Sequence, residues 1–109
     1  MHLRKTNTEF IAVGLGKDNR PFHHFTKEDK ITLEPEPNNS FDPKAIRILV
    51  DKTFVGYVSK NDNGEIHRFF KRKDKNNNKH LFDFFLLDVY PKSARFLMVD
   101  LTLALKRLS

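Results

Sequence analysis

Apolar and polar residues alternate along several short stretches of this chain, the period-two signature of strands buried on one face. Thr8–Gly14 sets Phe10 and Ala12 on one side and stops at the breaker Gly14-Leu15-Gly16. Lys30–Glu34 brings Ile31 and Leu33 together, and Ala45–Val50 sets Ile46, Ile48 and Val50 opposite Arg47. Phe54–Val58 follows after Asp51-Lys52-Thr53, a gap of hairpin length, so these last two strands are expected to pair. Leu81–Tyr90 is nearly continuous apolar sequence, broken by Asp83 and Asp88. Those two positions differ in parity, which predicts either cover on both faces or a bulge. Arg95–Leu105 reads as one long strand, with Leu97, Val99, Leu101, Leu103 and Leu105 on one face and Asp100 and Thr102 opposite.

Asp62–Lys73 has a different period. Ile66, Phe69, Phe70 and Lys73 fall at i, i+3, i+4 and i+7, the spacing of an amphipathic helix. Asp62 or Asn63 suits its cap, Glu65 its first turn, and Lys71, Arg72 and Lys73 its last turn. Lys75–Lys79 then reads as a solvated loop. About six strands with one or two short helices make an all-β domain. The expected architecture is a small SH3-like or OB-like antiparallel β-barrel, a form that removes exposed strand edges. No internal repeat or linker divides the chain, so residues 1–109 form one domain, with 1–7 expected to be loosely ordered.

Composition narrows the class. Hydrophobic residues are 39% of the 109, with no Trp and two Met, so the eleven Phe must supply much of the core. With no Cys there is no disulfide framework, thiolate zinc site or cysteine nucleophile. His23 and His24 are adjacent, so their rings diverge on a strand. His67 and His80 have no partner at i+3 or i+4, and neither a metal nor a cofactor is expected. No apolar run approaches the ~20 residues of a membrane helix, so no membrane partner is expected. Met1–Glu9 lacks the apolar stretch of a signal peptide. The expectation is an intracellular protein, cytoplasmic if prokaryotic or phage-derived and nuclear if eukaryotic.

The net charge is +6, and it is unevenly placed. Residues 1–55 carry nine Lys/Arg against eight Asp/Glu, whereas residues 56–109 carry eleven against six. Seven basic residues face three acidic ones between Lys60 and Lys79. A localised excess of this kind is the footprint of a polyanion binder. Within it, Arg68, Lys71 and Arg72 lie toward the outside of the expected helix, where they either track a phosphate backbone or form a merely solvated face.

The most informative segment runs from Leu33 to Ile48. Pro35, Pro37 and Pro43 fix φ, and Asn38, Asn39, Ser40 and Asp42 offer side chains that cap turns, so the plain reading is a rigid connection between strands. The string EPEPNNSFDPKAIRILV, followed by VGYVSK at 55–60, resembles the HIRAN family, and Phe10-Ile11-Ala12-Val13-Gly14 suits that family's first strand. The resemblance implies a modified OB/SH3-like barrel, found alone or attached to helicase-like remodelling proteins. It also implies a non-catalytic module that binds single-stranded DNA at a free 3′ end, with a helicase or other DNA-processing protein as a further partner.

Position by position, the resemblance sets Asp42 at the 3′-hydroxyl, where a carboxylate accepts from a hydroxyl and repels a phosphate. It sets Phe41 beside a base, with Asn39 shaping the loop or reaching a base edge. Tyr57 faces the nucleotide and Lys60 neutralises a phosphate; apart from the resemblance, the charges of Lys44, Arg68 and Arg72 are expected to attract the backbone. Each residue also has a structural reading: Asp42 as a turn cap before Pro43, Phe41 as a core plug, Tyr57 as half-buried packing. Ser40 stands where the family pattern has Pro, and Lys44 where it has Asn. Leu15-Gly16-Lys17 stands where a basic or aromatic contact is usual, leaving Phe22 or Phe25 to supply that wall. The rival reading is a protein-interaction or targeting module that recruits a DNA-processing partner.

Overall fold

The computed structural model describes residues 4–108. Its elements are β1 (Asn7–Val13), β2 (Ile31–Pro35), β3 (Ile46–Val50), β4 (Thr53–Val58), α1 (Lys60–Phe70), β5 (Phe82–Val89), β6 (Ala94–Asp100) and α2 (Leu101–Leu108). The strands form one antiparallel sheet in the order β2-β3-β4-β1-β6-β5. It curls into a half-barrel whose outer strands are β2 and β5. Part of the N-terminal segment expected to be loose, residues 1–3, lies outside the described residues. Asn7 already pairs with Val99, and the Thr6 carbonyl accepts from the Asp100 amide at 2.7 Å.

The β3–β4 hairpin forms as its alternation requires. Asp51 and Lys52 make a two-residue turn with φ of 48° and 72°, the left-handed pair that matches strand twist. Inside the curl, Phe10 stacks on Phe96 with ring centroids 5.3 Å apart, and Phe25 meets Phe96 edge-on at 5.0 Å. Ile46, Ile48, Ile66, Phe69 and Met98 complete a core that excludes water.

Three expectations are corrected. The last strand does not reach Leu105: it ends at Asp100, and Leu101–Leu108 is helical. Alternating leucines fit either state, but Leu, Ala, Lys and Arg are strong helix formers. Asp100 decides between them, because its Oδ1 accepts from the Leu103 amide at 2.9 Å, as a helix N-cap does. The inward face of β6 is also the other one. Ala94, Phe96, Met98 and Asp100 are buried, while Leu97 and Val99 are only half-buried, because stacking on Phe10 sets the register.

The first helix starts and ends earlier than expected. Ser59 caps it, accepting from the Asn61 amide, and it stops at Phe70, leaving Lys73 to bridge to Lys79 across a loop tied by Asp74. Asp62 instead reaches β1, where its carboxylate accepts from the Ile11 amide at 2.9 Å just where β4 has turned away. In β5 the disputed parity is resolved by a bulge between Leu86 and Asp88. The extra residue brings Asp88 to the outer face, where it pairs with Arg95.

Candidate nucleic-acid interface

The connection between β2 and β3 folds on its own side chains. Asn39 Oδ1 accepts from the amides of Phe41 and Asp42 at 2.9 and 3.0 Å, and Asp42 Oδ1 accepts from the Lys44 amide at 2.9 Å. The Ala45 amide donates to the Asp42 carbonyl, and the Glu36 amide to the Ala45 carbonyl, which closes the loop at its base. Asp42 is therefore a turn cap, and it is also tied to the helix: Oδ2 accepts from Nδ2 of the buried Asn63 at 3.0 Å. Each carboxylate oxygen can take about two donors, so both keep room for another.

Glu36 joins this loop to the sheet. Its Oε1 accepts from Asn39 Nδ2 at 2.6 Å and from the Tyr57 hydroxyl at 3.0 Å. Burial, then the hydrogen bond and charge of Glu36, hold the Tyr57 phenol above its usual range, so it stays a neutral donor. Behind it, the guanidinium groups of Arg20 and Arg47 each lie 4.2 Å from the Phe54 ring centroid, and Arg20 Nη2 donates to the Gly14 carbonyl. Gly56 is required in this wall. A Cβ there would stand 2.7 Å from both the Val13 carbonyl oxygen and Leu15 Cδ2.

The loop, the ends of β1 and β4 and the start of α1 enclose a groove of about 580 Å³. Val13, Ala45 and Val58 make its apolar floor. Asn39, Phe41, Asp42, Tyr57 and Lys60 from the expected set all line it. Phe41 is no core plug: it is 94% exposed, with its backbone fixed by Asn39. Lys60 is the first residue of α1, so its ammonium adds to the positive end of the helix dipole.

Three other residues of the expected set lie elsewhere. Lys44 and Arg68 line a separate depression with Pro43, Gly64, His67 and Lys71, and Arg68 pairs there with Glu65. Arg72 turns inward. Its Nη1 donates to the fully buried Asp100 at 2.9 Å and to the Lys5 carbonyl at 2.6 Å, and its guanidinium covers the Phe69 ring. An arginine committed in this way has little left for phosphate.

Neither phenylalanine expected to complete the groove does so. Phe25 is in the core against Phe96, and Phe22 packs on His24 beside a different depression. The wall is supplied by Asp18, exposed and in the left-handed region at φ 53°. The sequence signal for that turn was present in Gly14, Gly16 and the pair Asp18-Asn19. The Glu36–Tyr57 and Asn63–Asp42 bonds carried no local signal, since each spans 21 residues, whereas the Glu36–Asn39 bond spans three.

An exposed aromatic ring, convergent carboxylates and an ammonium over an apolar floor, carried on a small β half-barrel, make a binding module. The chain belongs to the HIRAN domain family, a family of nucleic-acid-binding modules, whose model matches residues 6–79. Among solved structures it is similar to the HIRAN domain of human HLTF, with a TM-score of 0.63 and 18% identity over 84% of this chain and 72% of that one. At that identity the likeness concerns the fold. A search of the curated proteins finds no match. Among the described residues, no helix is long and apolar enough to cross a membrane.

Proposed function

We propose that the groove holds the terminal nucleoside of single-stranded DNA at a free 3′ end. The observation that carries this reading is the charge of the groove itself. Asp42 and Asp18 line it with Lys60; Arg20 pairs with Asp18 at 3.6 Å, whereas Asp42 has no ion pair among the described residues, so a phosphate set against Asp42 is disfavoured. A nucleoside ending in a hydroxyl suits it better: Asp42 accepts from the 3′-hydroxyl, Phe41 and Tyr57 offer ring faces, and Lys60 meets the one phosphate on its 5′ side. Lys44 and Arg68, outside the groove, attract the rest of the strand without reading sequence. A helicase or other DNA-processing protein is the proposed partner, and the module is proposed to be non-catalytic.

The test is fluorescence anisotropy with labelled single strands that end in a 3′-hydroxyl, end in a 3′-phosphate, or have no free 3′ end. Tight binding to the first alone is expected. Asp42→Asn should bring the first two within about threefold of each other, because the neutral amide no longer repels phosphate. Equal binding to all three strands by the unaltered protein overturns the reading.

A further inference from the structure

A second concave site lies at the far end of α1, outside the groove and unused by the reading above. It has a volume of about 290 Å³ and sits between the loop 73–75, His80 and the first turns of α2. Among the described residues, Arg4, Lys73 and Lys75 line it against the carboxylate of Asp74, together with Lys106, which has a partner of its own. Asp74 is turned to its own loop, accepting from the amides of Asn76 and Asn78 at 2.8 and 2.9 Å. Those bonds, led by Asn78, hold its carboxyl below the usual range, so it stays ionised and short of acceptor capacity. The lining is strongly cationic.

At its base lies His80, whose side chain is only 6% exposed. Nδ1 is bonded at 2.7 Å to Asp100, a carboxylate with no exposed surface, which also takes Arg72 at 2.9 Å. Asp100 accepts, so Nδ1 carries the proton and the ring is fixed in orientation. Nε2 has no hydrogen-bond partner among the described residues. In the neutral ring it is a lone pair; in the protonated ring it is a donor. A polyprotic network behind a buried imidazole, with cations around its open side, is the arrangement that receives an oxyanion.

We propose that this pocket is a second anion site that takes a phosphate group, and that the anion entering it draws a proton onto His80 Nε2. The proton comes from solvent and the ring becomes an imidazolium between Asp100 and the bound anion. Thr102 does not compete for the ligand as an acceptor, because its hydroxyl oxygen already takes the Leu81 amide at 2.9 Å. By linkage, uptake of a proton on binding makes affinity fall as pH rises. The groups facing His80 are Asp100, Arg72 and Asp74, with Lys73, Lys75, Arg4 and Lys106 around the mouth.

The probe is inorganic sulfate at constant ionic strength, chosen because its own charge is constant between about pH 6 and about pH 8. It is followed by NMR on the Lys73–Lys75 and Thr102 amides and the His80 ring. Saturable shifts confined to those resonances are expected, with affinity at least about fivefold tighter at the lower pH and the ring signals moving to imidazolium positions. Lys75→Glu, an exposed change away from the Asp100 network, should weaken sulfate at least about fivefold with the fold intact. His80→Gln, if it folds, should lose the pH dependence.

A single strand with a 5′-phosphate, compared with its 5′-hydroxyl counterpart, separates the sources. Pocket shifts with the phosphorylated strand alone support a nucleic-acid end, and shifts with sulfate alone support a free oxyanion. Linear shifts without saturation, indifference to Lys75→Glu, or equal affinity at both pH values would overturn the proposal. The groove is read by other resonances, those of Phe41 and Tyr57, so either site can fail without the other.

Discussion

Replacing Glu36 with Ala removes the joint between the binding loop and the sheet. Two donors converge on one carboxylate oxygen, Asn39 Nδ2 at 2.6 Å and the Tyr57 hydroxyl at 3.0 Å, and Arg47 Nε stands 3.5 Å from the other oxygen. Hydrogen bonds to a charged group are each worth about 1.5–3 kcal/mol when buried. The Glu36 side chain is 30% exposed, so the lower end applies, and water partly replaces the lost acceptor for both donors. The ion pair with Arg47 adds under about 1 kcal/mol at that exposure. The sum is a loss of about 2 kcal/mol, or roughly 10 °C in Tm. Thermal unfolding followed by circular dichroism reads it directly.

Because the loop also carries Phe41 and Asp42, affinity for a 3′-hydroxyl strand should fall about tenfold as their preorganisation is lost. Glu36→Gln keeps a neutral acceptor and should recover about half of the stability. A Tm within about 2 °C of the unaltered protein would refute the reasoning. The Asn39 and Asp42 turns would then hold the loop alone, with Glu36 a bystander.

Gly56→Ala should cost about 2–3 kcal/mol, read as a lower urea midpoint, because the new Cβ meets the Val13 carbonyl, which cannot move without parting β1 from β4. Phe41→Ala should leave that midpoint unchanged, as the ring is 94% exposed, yet weaken strand binding by about 1–3 kcal/mol in the anisotropy assay. Acid should destabilise the fold through Asp100. Burial raises its carboxyl, but the Leu103 amide, His80 and Arg72 outweigh that and hold it below the usual range. Its stabilisation is full above the unfolded carboxylate value of about 3.9 and is lost as pH falls through the lower folded value. Urea midpoints measured down this range should fall less steeply in Asp100→Asn.

Where structure is made locally, the sequence was sufficient. The β3–β4 hairpin follows from alternation plus a two-residue gap, and the β2–β3 loop follows from Asn39 and Asp42 capping residues two or three positions ahead. Five of the eight expected contact residues line one groove because that loop and the Val55–Lys60 return fold next to each other. Asp100 enters two of the misreadings, once as a distant partner and once as a local cap. Arg72 has the outward look of a basic helix residue until Asp100, 28 positions on, draws it in. Leu101–Leu105 alternates like a strand until that same carboxylate caps a helix over it. Leu97 and Val99 were as good an inward face as Phe96 and Met98, and only the stack with Phe10, across 86 residues of chain, distinguishes them.

The place of β1 in the sheet has a consequence for how the molecule is made. The first strand to emerge during synthesis lies between β4 and β6, and its longer pairing, from Asn7 to Ala12, is with the last strand. Loop closure over such a span must precede its reward, which places this half-barrel among the slow folders, on the scale of milliseconds to seconds. On the ribosome the β2–β3–β4 meander is free to form early. The Phe10 ring lacks its ring partners Phe84 and Phe96 until β5 and β6 arrive, and apolar surface left open in that interval is prone to aggregation.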